Sequence, residues 1–207
     1  MMMRIKLLSI TENIHKIIET KIFLEKLYPD LRFEIDPVPE SIPKIEIQSN
    51  DLEDIALFSL KEAFKHIKDP DNWDIIFRED AGLFIEDLNG FPGPYSSYVY
   101  RTIGLSGVLK LLEDKPVRKA YFKSAVAYRF RGEDFIRVST GVVTGSISRE
   151  IRGSKGFGFD PIFIPSGYEK TFAELGEEIK ILISHRSRAL REMINNYLSK
   201  MNLRATD

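Results

Sequence analysis

Two adjacent carboxylates, Glu79 and Asp80, are the residues of this chain that point most directly to chemistry. Neighbouring residues on a strand face opposite sides, so the two cannot both enter a core without cost. We predict that they lie at the C-terminal end of a buried strand over residues 73–77, where open α/β sheets bind ligands. There Asp80 could bind Mg²⁺ or accept a proton from water. An isolated Glu-Asp pair is nevertheless more often a solvated turn.

Two other segments could help to hold an anionic ligand. Thr11 and Asn13 stand where the first strand should meet the first helix, and the free backbone N–H groups of such a junction attract phosphate. Lys16 follows about one turn later and could neutralise a phosphate oxygen, although helix capping by Thr11 or Asn13 is the simpler interpretation. Glu46, in a proline-rich loop, could complete an oxygen-ligand set for a metal, but alone it is more typical of a surface carboxylate.

Aromatic and basic residues later in the chain could bind a flat base. In Phe157-Gly158-Phe159-Asp160, two rings flanking a glycine can form a stacking wall, and the carboxylate or nearby backbone can read the base edge. A loop anchored by buried phenylalanines is an equally good interpretation. His185 could donate to a base carbonyl, and Arg186 could pair with phosphate or stack. A lone His-Arg step is usually a surface feature.

Hydrophobic periodicity predicts the elements that would position these segments. Strands are expected over residues 5–10, 31–35, 73–77, 120–130 and 135–143. Helices are expected over residues 14–28, 52–67, 96–101 and 104–112, and from about residue 187. The helix over 52–67 has the clearest apolar face, with a capping box formed by Asn50 and Glu53. The Gly/Pro-rich stretch 153–167 predicts irregular structure. Early alternation of strands and helices, followed by a long hairpin, predicts an α/β fold with a mixed sheet.

Composition limits the classes of protein to consider. The chain has 207 residues, of which 43% are hydrophobic, enough for one continuous core, and we expect a single domain over residues 1–207. With 30 basic and 31 acidic residues the net charge is -1, which gives no electrostatic case for nucleic acid. The chain has no cysteine, so thiolate metal sites and cysteine nucleophiles are excluded. Without an apolar run of membrane-spanning length or a signal peptide, we expect a cytoplasmic protein that does not bind membranes.

Several of these motifs occur together in a known family. The set comprises Glu-Asp-x-Gly-Leu at 79–83, Gly-Phe-Pro-Gly-Pro-Tyr at 90–95, Gly-Phe-Gly-Phe-Asp-Pro at 156–161, Thr-Phe-Ala-Glu-Leu at 171–175 and Ser-His-Arg at 184–186. In this order the motifs resemble those of the non-canonical purine nucleoside triphosphate pyrophosphatases, also called the inosine triphosphatase or Ham1-like family. The resemblance extends from about Lys6 to Tyr197.

The resemblance implies a fold and an activity. The expected fold is a long twisted mixed β-sheet with helices, forming two lobes that flank a nucleotide cleft, in a homodimer. The expected reaction is Mg²⁺-dependent attack of water on a nucleoside triphosphate, which yields the monophosphate and pyrophosphate. Preferred substrates would carry a 6-oxo purine, as in ITP, dITP and XTP, so that the enzyme removes deaminated purines from the nucleotide pool.

Position by position, the resemblance also implies roles for residues. Thr11, Asn13 and Lys16 match a phosphate-binding turn. Metal ligands would be Glu46, Glu79 and Asp80, and Asp80 would also be the catalytic proton acceptor. The remaining substrate-binding positions implied are Ala81, Phe157, Gly158, Phe159, Asp160, Lys180, His185 and Arg186.

Four positions depart from the family pattern. Glu12 replaces a glycine of the phosphate turn, where it would be strained if a positive φ were needed and repulsive if it faced phosphate. Ala81 replaces a hydroxyl residue, Ser59 replaces a lysine near the metal and phosphates, and Ile181 replaces an asparagine. Two alternatives therefore stay open: a pyrophosphatase of altered base specificity, and a nucleotide-binding paralogue with little turnover.

Overall fold

The computed structural model describes residues 2–43 and 45–201. Within them the chain divides into two compact units. The first comprises Met1–Asp80, Ala125–Thr140 and Ser187–Asp207, and the second comprises Ala81–Ser124 and Gly141–Arg186. The chain passes from the first unit to the second between Asp80 and Ala81. The expectation of a single domain over residues 1–207 stays a prediction.

A mixed sheet of seven strands confirms the predicted α/β class. The strands are β1 (Met3–Ser9), β2 (Leu31–Pro37), β3 (Ile75–Ile85), β4 (Pro92–Gly93), β5 (Lys119–Phe130), β6 (Arg137–Ile147) and β7 (Phe163–Pro165). Their order is β2-β1-β3-β5-β6-β7, and β4 pairs with β3 off this path. β1 is parallel to both β2 and β3, whereas β4 is antiparallel to β3 and β7 is antiparallel to β6.

The helices alternate with strands in the N-terminal part of the chain and gather towards the C-terminus. They are α1 (Ile14–Leu27), α2 (Leu52–Phe64), α3 (Ser96–Thr102), α4 (Gly104–Leu111), α5 (Phe172–Leu175), α6 (Glu177–Ile183) and α7 (His185–Lys200). None of the helices in the described part of the chain has the length and apolar character needed to cross a membrane.

Each unit has its own buried apolar residues. In the first, Leu7 of β1 is fully buried and is in register with Ile35 of β2 and Ile75 of β3. In the second, Phe122 of β5 is the centre of an aromatic group that includes Phe163 and Phe172, with ring centroids 4.7 Å and 6.3 Å away. Burial of such rings is the main favourable term in folding, so this group anchors the segments that follow β7.

Local patterns predicted most elements correctly, with errors near their ends. The N-cap of α2 is Asp51, whose side chain accepts from the Glu53 backbone N–H, so the predicted capping box with Asn50 was wrong by one residue. The last helix begins at His185 rather than Ser187. The stretch 153–167, predicted as irregular, contains a 3₁₀ turn at Asp160–Ile162 and the strand β7.

The largest correction concerns β3. The predicted strand ended at Phe77, but β3 continues to Ile85, so Glu79 and Asp80 lie in the middle of a strand and not at its C-terminal end. Polar residues at 78–80 suggested an end, because carboxylates are costly in a core. β3 neighbours β5 in the sheet, and its Leu83 and Phe84 pair with Gly93 and Pro92, interactions that local sequence does not reveal.

Candidate active site

In the first unit, Lys16 of α1 contacts the acidic pair on β3. Its Nζ lies 3.1 Å from Glu79 Oε2 and donates to the Glu79 backbone carbonyl over 3.0 Å. Glu79 is only 6% exposed, so the positive charge of Lys16 compensates a largely desolvated carboxylate. Asp80, on the opposite side of the strand, is partly exposed. We call Lys16, Glu46, Arg78, Glu79 and Asp80 the acidic cluster.

The segment between β1 and α1 has the geometry of a helix cap, which was the simpler interpretation of its sequence. Asn13 is the N-cap of α1, and its side chain accepts from the backbone N–H groups of His15 and Lys16 over 3.0 and 3.4 Å. Thr11 Oγ1 accepts from the Asn13 backbone N–H over 3.1 Å. This cap places Lys16 in the first turn, one side of which faces β3. Phosphate binding by Thr11 and Asn13 stays a prediction.

Glu12 is accommodated without backbone strain. Among the described non-glycine residues, positive φ values occur at Asp69 and Asn89, and Glu12 is not one of them. Its side chain is exposed. The turn therefore forms without the left-handed conformation that glycine would favour. Backbone strain is thus not a consequence of having Glu12 in place of glycine.

Glu46 is tied to β3 by Arg78. The Arg78 guanidinium donates to the Glu46 carboxylate through Nη2 and to the Ile10 carbonyl through Nη1, the latter over 3.2 Å. The Arg78 side chain is 10% exposed, whereas that of Glu46 is 58% exposed. An otherwise exposed loop carboxylate is thereby held beside β3, near the C-terminal end of β1.

Burial raises the pKa of the Asp80 carboxyl above its usual range. The nearby cations Lys16 and Arg78 lower this pKa, and Glu79 and Glu46 raise it again. A carboxylate with a raised pKa is a better proton acceptor than an ordinary aspartate.

The acidic cluster has the oxygen chemistry that a divalent metal requires, although its carboxylates are not gathered into a metal-binding group. Among residues 2–43 and 45–201, no three His, Asp or Glu side chains come together closely enough to hold a metal ion. Glu46 turns to Arg78 and Glu79 turns to Lys16. Carboxylate oxygens are the ligands that Mg²⁺ prefers, so the side chains fit such an ion in kind.

In the second unit, Asp160 and Lys180 form a buried ion pair beneath the loop predicted to bind a base. Asp160 Oδ2 accepts from Lys180 Nζ over 2.6 Å and from the Phe157 backbone N–H over 2.9 Å. The two residues are 2% and 3% exposed. The Asp160 carboxylate thus shapes the loop, and Gly156 permits this approach, since a Cβ there would lie 2.2 Å from the same oxygen.

The two phenylalanines of this loop differ in their surroundings. Phe159 is 3% exposed and meets Tyr100 edge to face, with centroids 5.7 Å apart, as an anchoring residue would. Phe157 is partly exposed, and the Lys180 Nζ and the Arg186 guanidinium lie 4.6 and 5.5 Å from its ring centroid. Gly158 between them has a φ of 61°, which favours glycine. The anchoring interpretation therefore holds for Phe159, and base stacking by Phe157 stays a prediction.

His185 and Arg186 are buried rather than on the surface. They are 4% and 3% exposed at the start of α7. The His185 ring stacks on Phe122, with centroids 4.7 Å apart and planes 11° apart. We call Phe157, Asp160, Lys180, His185 and Arg186 the aromatic–basic cluster.

Ala81 lies between the acidic pair and a tight backbone contact. A Cβ on Gly82 would lie 2.3 Å from the Gly93 carbonyl oxygen, so only glycine allows β3 and β4 to approach there. Ser96 closes the turn, since its hydroxyl accepts from the Leu83 backbone N–H over 2.8 Å and donates to the Gly93 carbonyl over 2.7 Å. Gly82 and Ser96 thus fix the pairing of β3 with β4 in the residues that follow Ala81.

Sequence reasoning missed Arg78 and the short helices around Lys180. A basic residue next to two acidic ones suggests a solvated segment, and no local signal shows that it contacts Glu46. The helix α5 had a visible signal, because Thr171 and Glu174 form a capping box. Lys180 and Ile181 lie on α6, and Ile181 is 4% exposed, so its side chain fills the core.

Fold and side chains together define the class, an α/β protein with a mixed sheet that carries a carboxylate cluster on its strand β3. Comparison with known proteins gives the family. The model of the Ham1 family matches residues 7–196, and the chain belongs to this family.

Similar proteins match over nearly their whole lengths. A dITP/XTP pyrophosphatase of Ignicoccus hospitalis is 48% identical over 188 residues, which cover 91% of this chain and 94% of the relative. One of Thermococcus kodakarensis is 46% identical, with 92% and 96% covered. A HAM1 protein structure from Coxiella burnetii has a TM-score of 0.77 at 30% identity, covering 95% of this chain and 99% of that one.

Proposed function

We propose that this protein hydrolyses non-canonical purine nucleoside triphosphates, dITP, XTP and ITP among them, to the monophosphate and pyrophosphate. The observation that carries the proposal is the acidic pair on β3, compensated by Lys16, in a chain of the Ham1 family. The names of the relatives, dITP/XTP pyrophosphatases, support the substrate class. Removal of such nucleotides would keep deaminated purines out of the nucleotide pool.

In this proposal the acidic cluster serves the triphosphate. A bound Mg²⁺, held by Glu46, Glu79 and Asp80, would polarise phosphate oxygens and offset their charge. Asp80 accepts the proton of the attacking water, for which its raised pKa suits it. Lys16 offsets negative charge of the phosphates, and Thr11 and Asn13 belong to the same phosphate-binding turn.

The aromatic–basic cluster serves the base. The partly exposed Phe157 offers a ring face, and the buried His185 and Arg186 offer N–H donors. A donor placed at a 6-oxo group meets no acceptor in the 6-amino group of adenine, and leaving it unpaired costs about 1–3 kcal/mol. Lys180 contacts the substrate or, through Asp160, holds the loop. Mg²⁺ as the metal, a homodimer, a cytoplasmic location and one domain over 1–207 belong to the same proposal.

The test is pyrophosphate release in the presence of Mg²⁺ from the triphosphates of inosine, deoxyinosine, xanthosine, adenosine and guanosine. We expect fast release from inosine, deoxyinosine and xanthosine triphosphates and little from adenosine triphosphate, which lacks the 6-oxo group. Preferential release from another nucleotide would assign the chain to a pyrophosphatase of altered specificity. Saturable nucleotide binding with no release would make it a binding paralogue and overturn the proposal.

A further inference from the structure

Arg78 is a buried cation inside a group of carboxylates. It directly precedes Glu79 and Asp80 on β3 and forms an ion pair with Glu46. Its Nε is buried and makes no hydrogen bond within the part of the chain that the structure describes. Burying a guanidinium is costly unless its charge is used, and a buried Met of similar length would pack at no such cost.

Arg78 lines the same cavity as Ser59. The cavity lies within the first unit. Its other lining residues are Ile10, Thr11, Val38, Ile42, Pro43 and Ile45. Ser59 is 4% exposed, and its hydroxyl donates to the Ile45 carbonyl over 2.9 Å, so it contributes no charge. The resemblance implies a lysine at position 59, where this chain has Ser59, and the structure places a cation, Arg78, in the lining of the same cavity.

The charge balance shows why a second cation matters. The acidic cluster contains three carboxylates, and Lys16 compensates one of them. A nucleoside triphosphate adds about four negative charges near neutral pH. Like charges repel strongly in a partly buried site, where water screens them less. Arg78 offsets a second carboxylate, that of Glu46, with which it forms an ion pair.

We propose that Arg78 supplies the positive charge for triphosphate binding that position 59 lacks. The inference rests on the proposed function. Arg78 offsets the charge of Glu46, so that the triphosphate approaches a cluster with two cations rather than one. The cation that lines this cavity therefore stands on the strand β3 and not on the helix α2. Ser59 is left to hold the Ile45–Glu46 segment through its hydroxyl.

The experiment compares the wild type with Arg78→Met, Arg78→Lys, and Arg78→Met combined with Ser59→Lys. Binding of the non-hydrolysable α,β-imido analogue of dITP is measured by calorimetry with Mg²⁺. We expect Arg78→Met to weaken binding about tenfold or more, because the triphosphate then approaches a cluster with one positive charge fewer. Arg78→Lys should keep most of the affinity, and Ser59→Lys should restore most of it in the Arg78→Met background.

Two further measurements separate electrostatics from structure. Titration of the nucleotide-free protein with Mn²⁺ should show unchanged or tighter metal binding in Arg78→Met, since removing a cation leaves the carboxylates more negative. Arg129→Met is the matched control. Arg129 is another buried arginine of the first unit, which pairs with Asp71, and its loss should lower stability without changing analogue affinity.

The outcomes distinguish the two proposals. Equal analogue affinity in the wild type and Arg78→Met would overturn the inference and leave the proposed function intact. The inference would also be wrong if Arg78→Lys and the double variant bound as weakly as Arg78→Met, or if Arg78→Met weakened Mn²⁺ binding as well. A wild-type protein that binds no analogue would reject the proposed function and the inference with it.

Discussion

Lys180 and Asp160 form an ion pair with an Nζ–Oδ2 distance of 2.6 Å, on side chains that are 4% and 3% exposed. The pair joins α6 to the loop that carries Phe157, because the same carboxylate oxygen accepts from the Phe157 backbone N–H. Charge so deeply buried is stable only while both partners are present.

Removing one partner should destabilise the protein more than removing both. Asp160→Asn leaves the Lys180 ammonium buried without its counter-charge, and we expect a loss of about 3–5 kcal/mol in the free energy of unfolding. Adding Lys180→Met should recover part of this loss, and urea unfolding of the two single variants and the double variant measures it. Strictly additive losses would show that the pair does not couple the loop to α6.

Asp80→Asn should keep the fold and remove most turnover. The amide cannot accept a proton from water and binds a divalent metal more weakly than a carboxylate. We expect kcat to fall by about a hundredfold or more. Pyrophosphate release and thermal melting are measured on the same sample. Unchanged turnover would reject the role assigned to Asp80.

The same variant should change how stability depends on pH. Burial raises the pKa of Asp80 above 3.8, so the folded protein holds this proton more tightly than the unfolded chain does. As pH rises through 3.8 the unfolded state releases its proton first, and the wild type loses stability up to the folded pKa. Asp80→Asn lacks this loss. In metal-free buffer its stability relative to the wild type should therefore be greater at pH 7 than at about pH 3.5.

Urea unfolding across this pH range, with a chelator present, checks the expectation. Asp54→Asn is the matched control, since Asp54 is an exposed carboxylate of the first unit. If the difference between Asp80→Asn and the wild type were the same at every pH, the raised pKa of Asp80 would be refuted.

Replacing Glu12 tests whether this departure costs activity. Its backbone has no positive φ, so glycine relieves no strain there, and the remaining effect is the negative charge beside the phosphate turn. We expect Glu12→Gly to lower KM for dITP a few-fold with kcat unchanged. Glu12→Gln should reproduce the KM change without the stability loss of about 0.5–1 kcal/mol that glycine brings. An unchanged or raised KM in both variants would mean that the turn has adapted to Glu12.

The sequence by itself determined the α/β class, the family and most element positions. Local signals suffice for these, because a capping residue such as Asn13, an apolar face such as that of α2, and a glycine-rich motif act over a few neighbouring residues. The types of the site residues were readable in the same way, since chemistry depends on which side chains are present.

Only the tertiary structure decided which of these side chains meet. Residues 32 positions apart form the Arg78–Glu46 pair, and 20 positions separate Asp160 from Lys180. The part of β3 past the acidic pair likewise pairs with β4. Such contacts form because a buried charge or backbone group is costly unless it is paired. The tertiary fold, and not the adjacent sequence, determines which group lies close enough to be the partner.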